Sequence, residues 1–353
     1  MKSTISKVIL VLLSTFLGLA LLELAYRLLK SSDKIYKSDA ALGWAPKENT
    51  IIQNKKLYSF KGREYTGNYT SNNLGFRTVK THSNIDHGNQ IKILAIGDSF
   101  TGDFYASNQE SWFGILENLS AGKLKLYAYG MGGSGTSQQF RAFIALRKEI
   151  NPNVLLIQHC SNDPDNDSYR LGLNSIVRNQ DLRRPYYKDG EFYFRNDMQA
   201  KLYRLLYNNS FLFAKLDNII QGIQYKIHKS YTQEPATSKQ REDDLNHWED
   251  VYRDYVNYAR STGIKHVWSI SCDNSDKDDA QKRWVLASEK LGVKAFTSFG
   301  NSAAKKAAEG HDVYYADGGH LNDIGNFFAG QALYKEIAKY LKLKPIKNNP
   351  HPD

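Results

Sequence analysis

A length of 353 residues gives a prior of about two domains, or one large domain with extensions. With 41% hydrophobic and 24% charged residues, the composition excludes a disordered chain, a collagen-like repeat and a coiled coil. The mean hydropathy of −0.55 excludes a polytopic membrane protein, and two cysteines, Cys160 and Cys272, exclude a disulfide scaffold. The formal charge of +10 favours anionic neighbours. Lys and Arg run no more than two together, however, so charge alone makes no case for a nucleic-acid partner.

In chain order, the first predicted element is a leader helix. Lys2 and Lys7 precede an uncharged stretch from Val8 to Leu22; Glu23 interrupts it, and Leu24, Ala25 and Tyr26 extend it to Arg27. Counting Glu23, that is just long enough to cross a bilayer at about 1.5 Å rise per residue. The run Leu22-Glu23-Leu24-Ala25-Tyr26 lacks the small residues of a cleavage site, so residues 1–30 read as an uncleaved signal anchor. The flanks disagree with export: Arg27, Lys30, Lys34 and Lys37 outnumber Lys2 and Lys7. Residues 31–90, polar and broken by Gly43, Gly62, Gly67 and Gly75, read as a leader of loops and short strands packing on the domain.

Alternating elements follow. Apolar runs at Ile91–Ile96, Leu124–Tyr129, Val154–Gln158, Ile264–Ser271 and Val293–Phe296 predict five buried strands. Helical patterns lie at Ser111–Leu119, Gln138–Ile150, Asp243–Ser261 and Asn322–Leu341. This alternation predicts an α/β fold: a parallel sheet of about five strands with helices on both faces, spanning residues 91–342. An insertion at about 164–240 interrupts it. Within the insertion, Pro185 to Phe194 predicts a hairpin on the Asp189-Gly190 turn, and Met198 to Ile227 has helical spacing. Residues 343–353 read as a tail.

The residues that can carry chemistry fall where this alternation puts the carboxyl edge of the sheet, where open α/β sheets bind ligands. Gly97-Asp98-Ser99-Phe100 ends the first strand and presents a hydroxyl ahead of a helix. Gly130-Met131-Gly132-Gly133-Ser134-Gly135-Thr136 ends the second, with backbone N–H groups open to an oxyanion. His159-Cys160-Ser161-Asn162-Asp163 ends the third, where an Asn amide is a good donor. Asp317-Gly318-Gly319-His320 places a carboxylate three residues before an imidazole, a spacing that suits holding Nδ1–H and freeing Nε2 as a base. Each of these alone also reads as a turn or a cap.

Together, in the order Ser, Gly, Asn, His, the four segments resemble the SGNH hydrolases, the GDSL-like esterases and lipases. Asn73-Leu74-Gly75-Phe76-Arg77 and Leu42-Gly43-Trp44 resemble the leader of the family's membrane-anchored members. The resemblance spans roughly residues 40 to 342. It implies a flavodoxin-like fold and an acyl-enzyme mechanism, with Ser99 as nucleophile, His320 as general base and Asp317 orienting it. The oxyanion hole it implies consists of the Ser99 and Gly133 N–H groups and the Asn162 side chain, with no metal and no cofactor. It further implies an extracytoplasmic domain held at a membrane, acting on an acylated small molecule or on acyl groups of a glycan or lipid, with no nucleic-acid partner. O-acetyl transfer to an exported polysaccharide and a non-catalytic glycan-binding module are the alternatives. The chain departs from the family at Cys160, where the third block has glycine. Cys160 and Cys272 follow neighbouring strands of such a sheet, so either a disulfide or two separate buried thiols fits.

Overall fold

The computed structural model describes residues 2–29, 35–78, 90–174, 182–228 and 237–343. Lys30 and Lys34 of the flanking-charge comparison, and all but the first residue of the tail, lie outside them. Helix α1 (Lys2–Leu29) comes first. Two antiparallel pairs follow, β1 (Tyr36–Asp39) with β2 (Gly43–Pro46) and β3 (Ile51–Tyr58) with β4 (Glu64–Thr70). The alternating region runs β5 (Ile91–Gly97), α2 (Ser99–Gly102), α3 (Trp112–Leu119), β6 (Leu124–Gly130), α4 (Thr136–Ile150), β7 (Val154–His159). The insertion holds α5 (Asp163–Asp167), α6 (Tyr169–Asn174), hairpin strands β8 (Tyr186–Lys188) and β9 (Glu191–Tyr193), α7 (Met198–Asn209) and α8 (Phe211–His228). Then come α9 (Ser238–Ser261), β10 (His266–Ser271), α10 (Asp279–Lys290), β11 (Lys294–Phe296), α11 (Ser298–Ala308) and α12 (Asp323–Leu341).

Five of the strands form one parallel sheet in the order β11-β10-β7-β5-β6. Numbered along the chain within the sheet, that is 2-1-3-4-5 read from the β6 edge, the flavodoxin order. All five expected strands are present. Alternation along each strand sends side chains to two cores. Leu94, Ile96, Leu155 and Ile157 meet Phe140, Trp248, Tyr255 and Trp284 of α4, α9 and α10 on one face. Ile93, Leu126, Leu156 and Ile270 meet Trp112, Phe299, Leu333 and Ile337 of α3, α11 and α12 on the other. Burying each such side chain stabilises by about 1.5–3 kcal/mol. The result is the three-layer α/β architecture, helices on both faces of a five-stranded parallel sheet, that the alternation of elements predicts.

Helices α10 and α11 carry too few large apolar residues to be read from sequence. Their buried faces are built from Ala280, Gln281 and Ser288, and from Gly300 and Ala303, with one aromatic anchor each, Trp284 and Phe299. The Asp189-Gly190 hairpin forms as expected, with both residues at positive φ (52° and 86°). Its aromatics turn inward: Tyr186 and Tyr187 are buried, and Tyr187 and Phe192 pack on Phe140 of α4.

Candidate active site

Register brings the loops of the site together. Gly97 pairs with Gly130, Ile96 with Ile157, and Ser271 with His159, so the segments after β5, β6, β7 and β10 leave one sheet edge side by side. Gly130 is required there because a Cβ would run into the backbone of Thr101 and Gly102, the helix that carries Ser99. Buried Asp98 caps that helix by accepting the Phe100 N–H at 3.0 Å. Gln158 of β7 fixes both ends of the turn. Its amide donates to Asp98 Oδ1 at 3.1 Å, and its carbonyl accepts from the Thr101 hydroxyl at 2.5 Å.

The geometry joins Ser99 to residues more than two hundred positions away. Ser99 Oγ is 2.7 Å from His320 Nε2, and His320 Nδ1 is 2.5 Å from Asp317 Oδ2. The other Asp317 oxygen accepts the Gly319 and His320 N–H groups, each at 3.0 Å, so the carboxylate is fixed by its own loop. Burial raises the Asp317 pKa, but the His320 hydrogen bond and these two N–H groups outweigh it and hold the group at about 2. Burial likewise disfavours charge on His320, yet the hydrogen bond to Asp317 and the nearby Asp317, Asp98 and Asp103 carboxylates raise its pKa above the ordinary 6.5.

The three expected oxyanion donors share one property. The Ser99 N–H, the Gly133 N–H and the Asn162 side-chain amide make no hydrogen bond among the described residues. Gly133 sits at φ +70°, where a side chain would strain the backbone, and Arg184 holds its carbonyl at 3.1 Å. Asp167 accepts the Thr136 and Ser137 N–H groups at 3.0 and 2.9 Å, and Asn166 binds the Ser134 carbonyl at 3.2 Å. The glycine loop is thus tied down on both sides of Gly133. Asn162 lies exposed at the start of α5.

Cys160 and Cys272 form a disulfide, with Cα atoms 5.4 Å apart. The bond accounts for the cysteine that stands where the family has glycine: it ties the loop bearing Asn162 to the end of β10. It closes a separation of 112 residues, and chain-entropy reasoning puts the stabilisation from so long a loop at about 4–5 kcal/mol. Titration of the unreduced, denatured protein is expected to find no free thiol, and reduction is expected to lower the denaturation midpoint; two reactive thiols before reduction would contradict the bridge. His159, next to Cys160, is fully buried beside Trp248 and Trp284, where burial pushes its pKa down to about 3.

The residues that brace the site were not evident from the sequence, and many lie in the leader. The Tyr36 hydroxyl accepts the Gly132 N–H at 2.6 Å and donates to the Gly130 carbonyl at 3.3 Å. Arg77, buried, pairs its backbone with Ala128 of β6 and reaches three carbonyls at the end of the Ser99 helix and just past it. The Ala316 N–H binds the Tyr58 carbonyl at 2.9 Å, and the Phe60 N–H binds the Tyr314 carbonyl at 3.1 Å, so β3 fastens the loop of Asp317 and His320. The Asn-Leu-Gly-Phe-Arg segment was the one signal pointing to Arg77; Tyr36 left none. Among the described residues no group of three or more His, Cys, Asp or Glu is placed to hold a metal ion.

A recess of about 10 Å3 lies beside Ser99 and His320, lined also by Asp103, Phe104, Tyr105 and Asn326. A groove of about 710 Å3 adjoins it, sharing Phe104 and Tyr105 and reaching Gly132, Tyr36, Trp44 and Arg183.

The fold and this arrangement define an α/β chain with hydrogen-bonded Ser99, His320 and Asp317 at the carboxyl edge of its parallel sheet, as the resemblance to the SGNH hydrolases implied. No family model and no curated protein matches the chain. Among solved structures it is similar to the psychrotrophic esterase EstA from Pseudoalteromonas sp., at 13% identity over 72% of this chain and 100% of that one, TM-score 0.42. It is also similar to TesA, at 10% identity over 70% and 98%, TM-score 0.41. A third is the acetylxylan esterase Axe2 from Geobacillus stearothermophilus, at 11% identity over 72% and 96%, TM-score 0.36. Similarity at this level carries nothing about chemistry, which depends on the chain's own side chains and their geometry.

Proposed function

We propose that the chain is a serine ester hydrolase that works through an acyl-enzyme. The observation that carries this is the continuous relay Ser99 Oγ–His320 Nε2 and His320 Nδ1–Asp317, at 2.7 and 2.5 Å. Ser99 attacks an ester carbonyl and passes its proton to His320 Nε2, while Asp317 holds the tautomer and the developing imidazolium. The tetrahedral oxyanion takes the unpartnered N–H groups of Ser99 and Gly133 and the Asn162 amide, each donor being worth about 100-fold or more in rate. His320 then protonates the departing alkoxide, and water repeats the sequence on acyl-Ser99.

The recess beside Ser99, with room for about one water molecule, suits the methyl of a small acyl group such as acetyl. The groove suits the body of a glycan or lipid: Trp44 and Tyr36 line it, Arg183 stacks over Tyr207 at 3.9 Å, and Lys55 lies over Tyr105. Its size also favours a second reading, in which a sugar hydroxyl in the groove replaces water and the reaction is O-acetyl transfer. In either case α1 holds the domain on the extracytoplasmic side of a membrane. Mixing the protein with p-nitrophenyl acetate is expected to release a burst of one p-nitrophenol per chain, with acetate favoured over longer esters. An added glycan acceptor speeds turnover and becomes acetylated if the transfer reading holds, and leaves the rate unchanged if water is the acceptor. Absence of both burst and turnover would sink the proposal.

The titration of His320 sets the pH profile. Only the neutral imidazole accepts the serine proton, so activity rises with pH through the His320 pKa, and the half-point is expected above 6.5. Stability carries the opposite sign for this group. The His320 contribution is complete below 6.5 and is lost as pH rises through its higher folded pKa, whereas that of Asp317 is complete above 3.8 and lost as pH falls through about 2. A rate flat between about pH 5 and 8 would contradict His320 as base.

A further inference from the structure

Helices α7 and α8 turn their apolar residues outward. Met198, Leu202 and Leu205 of α7 recur at helical spacing and are 80%, 52% and 61% exposed. Leu216, Ile220 and Ile223 of α8 repeat that spacing at 48%, 50% and 51%. The inner side packs Leu182, Ala200 and Tyr203 with Tyr207 and Phe213, and it also takes in a carboxylate, the buried Asp217, to which the Tyr203 hydroxyl donates at 2.6 Å. A pair of helices that buries a carboxylate and exposes two aliphatic stripes is built for surroundings other than water.

The placement of α8 says what those surroundings are. The charged residue inside the apolar run of α1, Glu23, forms the N-terminal cap of α8. Its carboxylate accepts the Phe211 and Leu212 N–H groups at 2.9 and 2.8 Å and the Ser210 hydroxyl at 2.9 Å. Arg27 binds the Asn209 carbonyl at 2.7 Å and lies over the Phe211 ring. The apolar span of α1, Ser6–Ala25, has no buried residue, and it ends at this contact. If α1 crosses a bilayer, α8 therefore begins at the depth where the span leaves the hydrocarbon. A carboxylate at that depth is costly unless it is paired, and α8 supplies the partners. The exposed lysines Lys201 and Lys215 flank the two stripes, as on helices that lie in an anionic interface.

We propose that α7 and α8 dock in the headgroup region of the lipid bilayer as a second membrane contact, held at that depth by Glu23 of the anchor. This rests on the reading of α1 as a membrane span. The same pair supplies Tyr207, Asn208 and Phe211 to one wall of the groove beside Ser99. Docking therefore turns the groove mouth towards the membrane plane, where an acyl group on a lipid-linked or surface glycan is presented.

The test uses the full chain in vesicles of neutral and anionic phospholipid. Both native cysteines are bonded, so an introduced cysteine is the one free thiol. An environment-sensitive fluorophore is placed at Leu205→Cys, at Ile220→Cys and, for reference, at exposed Glu309→Cys. The first two labels are expected to emit in the blue and to be quenched by lipid carrying a nitroxide high on its acyl chain, since an interfacial helix sits about 5–10 Å into that boundary. The Glu309 label is expected to stay in water. Labels at 205 and 220 that report water in vesicle-bound protein overturn the proposal. So do labels that are shielded but unquenched, whether the protein is a dimer, with a second copy as the cover, or a monomer, with another part of this chain as the cover. A chain that washes off the vesicles at alkaline pH overturns the anchor reading itself; one that stays bound with unquenched labels overturns the docking alone.

Discussion

Ser99→Ala is expected to abolish the p-nitrophenol burst and to lower kcat by about 10⁴-fold or more, leaving the residual rate that oxyanion donors and binding give without a nucleophile. The Ser99 Oγ is the one oxygen placed 2.7 Å from His320 Nε2, and no second hydroxyl is hydrogen-bonded to that imidazole among the described residues. The fold should survive, since Ser99 contributes its backbone, not its side chain, to α2. Asp317→Asn tests the other end of the relay. Asn keeps the shape but presents an amide to Nδ1, which favours the wrong tautomer, and a loss of about 10⁴-fold is again expected. The Gly319 and His320 N–H groups can still bind the Asn carbonyl, so the loop stays formed. Because the two residues act through one chain of bonds, Ser99→Ala with Asp317→Asn should lose little more than either alone. Full additivity, or an Asp317→Asn variant with wild-type kcat, would show that the relay is not the catalytic unit.

Arg77→Ala is expected to be the most damaging substitution outside the relay. Arg77 is 1% exposed, and its guanidinium donates to Asn108 Oδ1 at 2.9 Å, to the Gly102 carbonyl at 2.8 Å, to the Ala106 carbonyl at 2.6 Å and to the Asp103 carbonyl. Its plane lies over Tyr69 and Phe113. Truncation strands those carbonyls away from water, at a cost of about 3–5 kcal/mol, or roughly 10 °C in Tm. The carbonyls belong to the turn that follows Ser99 and lines the recess, so displacement reaches the nucleophile. A shift there of about 1 Å is enough to cost about 100-fold in kcat well below Tm. Arg77→Lys keeps the charge but not the fork, and should recover little of either. An Arg77→Ala protein that melts and turns over like the wild type would exclude the clamp.

The parallel sheet was legible because its five strands are buried on both faces and so read as short apolar runs ending in glycine or polar residues, Ile91–Gly97 and Leu124–Gly130 most plainly. The candidate site was legible for a related reason. Chemistry at the carboxyl edge needs residues of fixed type just past strand ends, so the segments of Ser99, Asn162 and His320 stood out by position, while the resemblance to the SGNH hydrolases tied them together and picked Gly133 among the loop's glycines. Helices α10 and α11 were not, because small and polar residues packed around one aromatic leave no apolar stripe. Whether Cys160 and Cys272 meet depends on which strands are neighbours: β10 lies beside β7, with Ser271 opposite His159, and that adjacency is a property of the sheet, not of either segment.

The leader marks the division most clearly. Polar and glycine-broken, it carries no period that identifies its partners. In the structure it touches three of the four motif segments, through Arg77 to the turn after Ser99, through Tyr36 to the glycine loop, and through β3 to the loop of Asp317 and His320. Glu23 is the same case in α1: from sequence it is an interruption in an apolar run, and only the arrival of α8 makes it a cap. What the chain determines locally is which residues are apolar, where strands stop and which side chains can do chemistry. What only the tertiary structure decides is which backbone N–H and C=O groups, left over at the ends of those elements, find partners from segments distant in sequence, because hydrogen-bonding capacity is the same at every residue and its satisfaction depends on three-dimensional proximity.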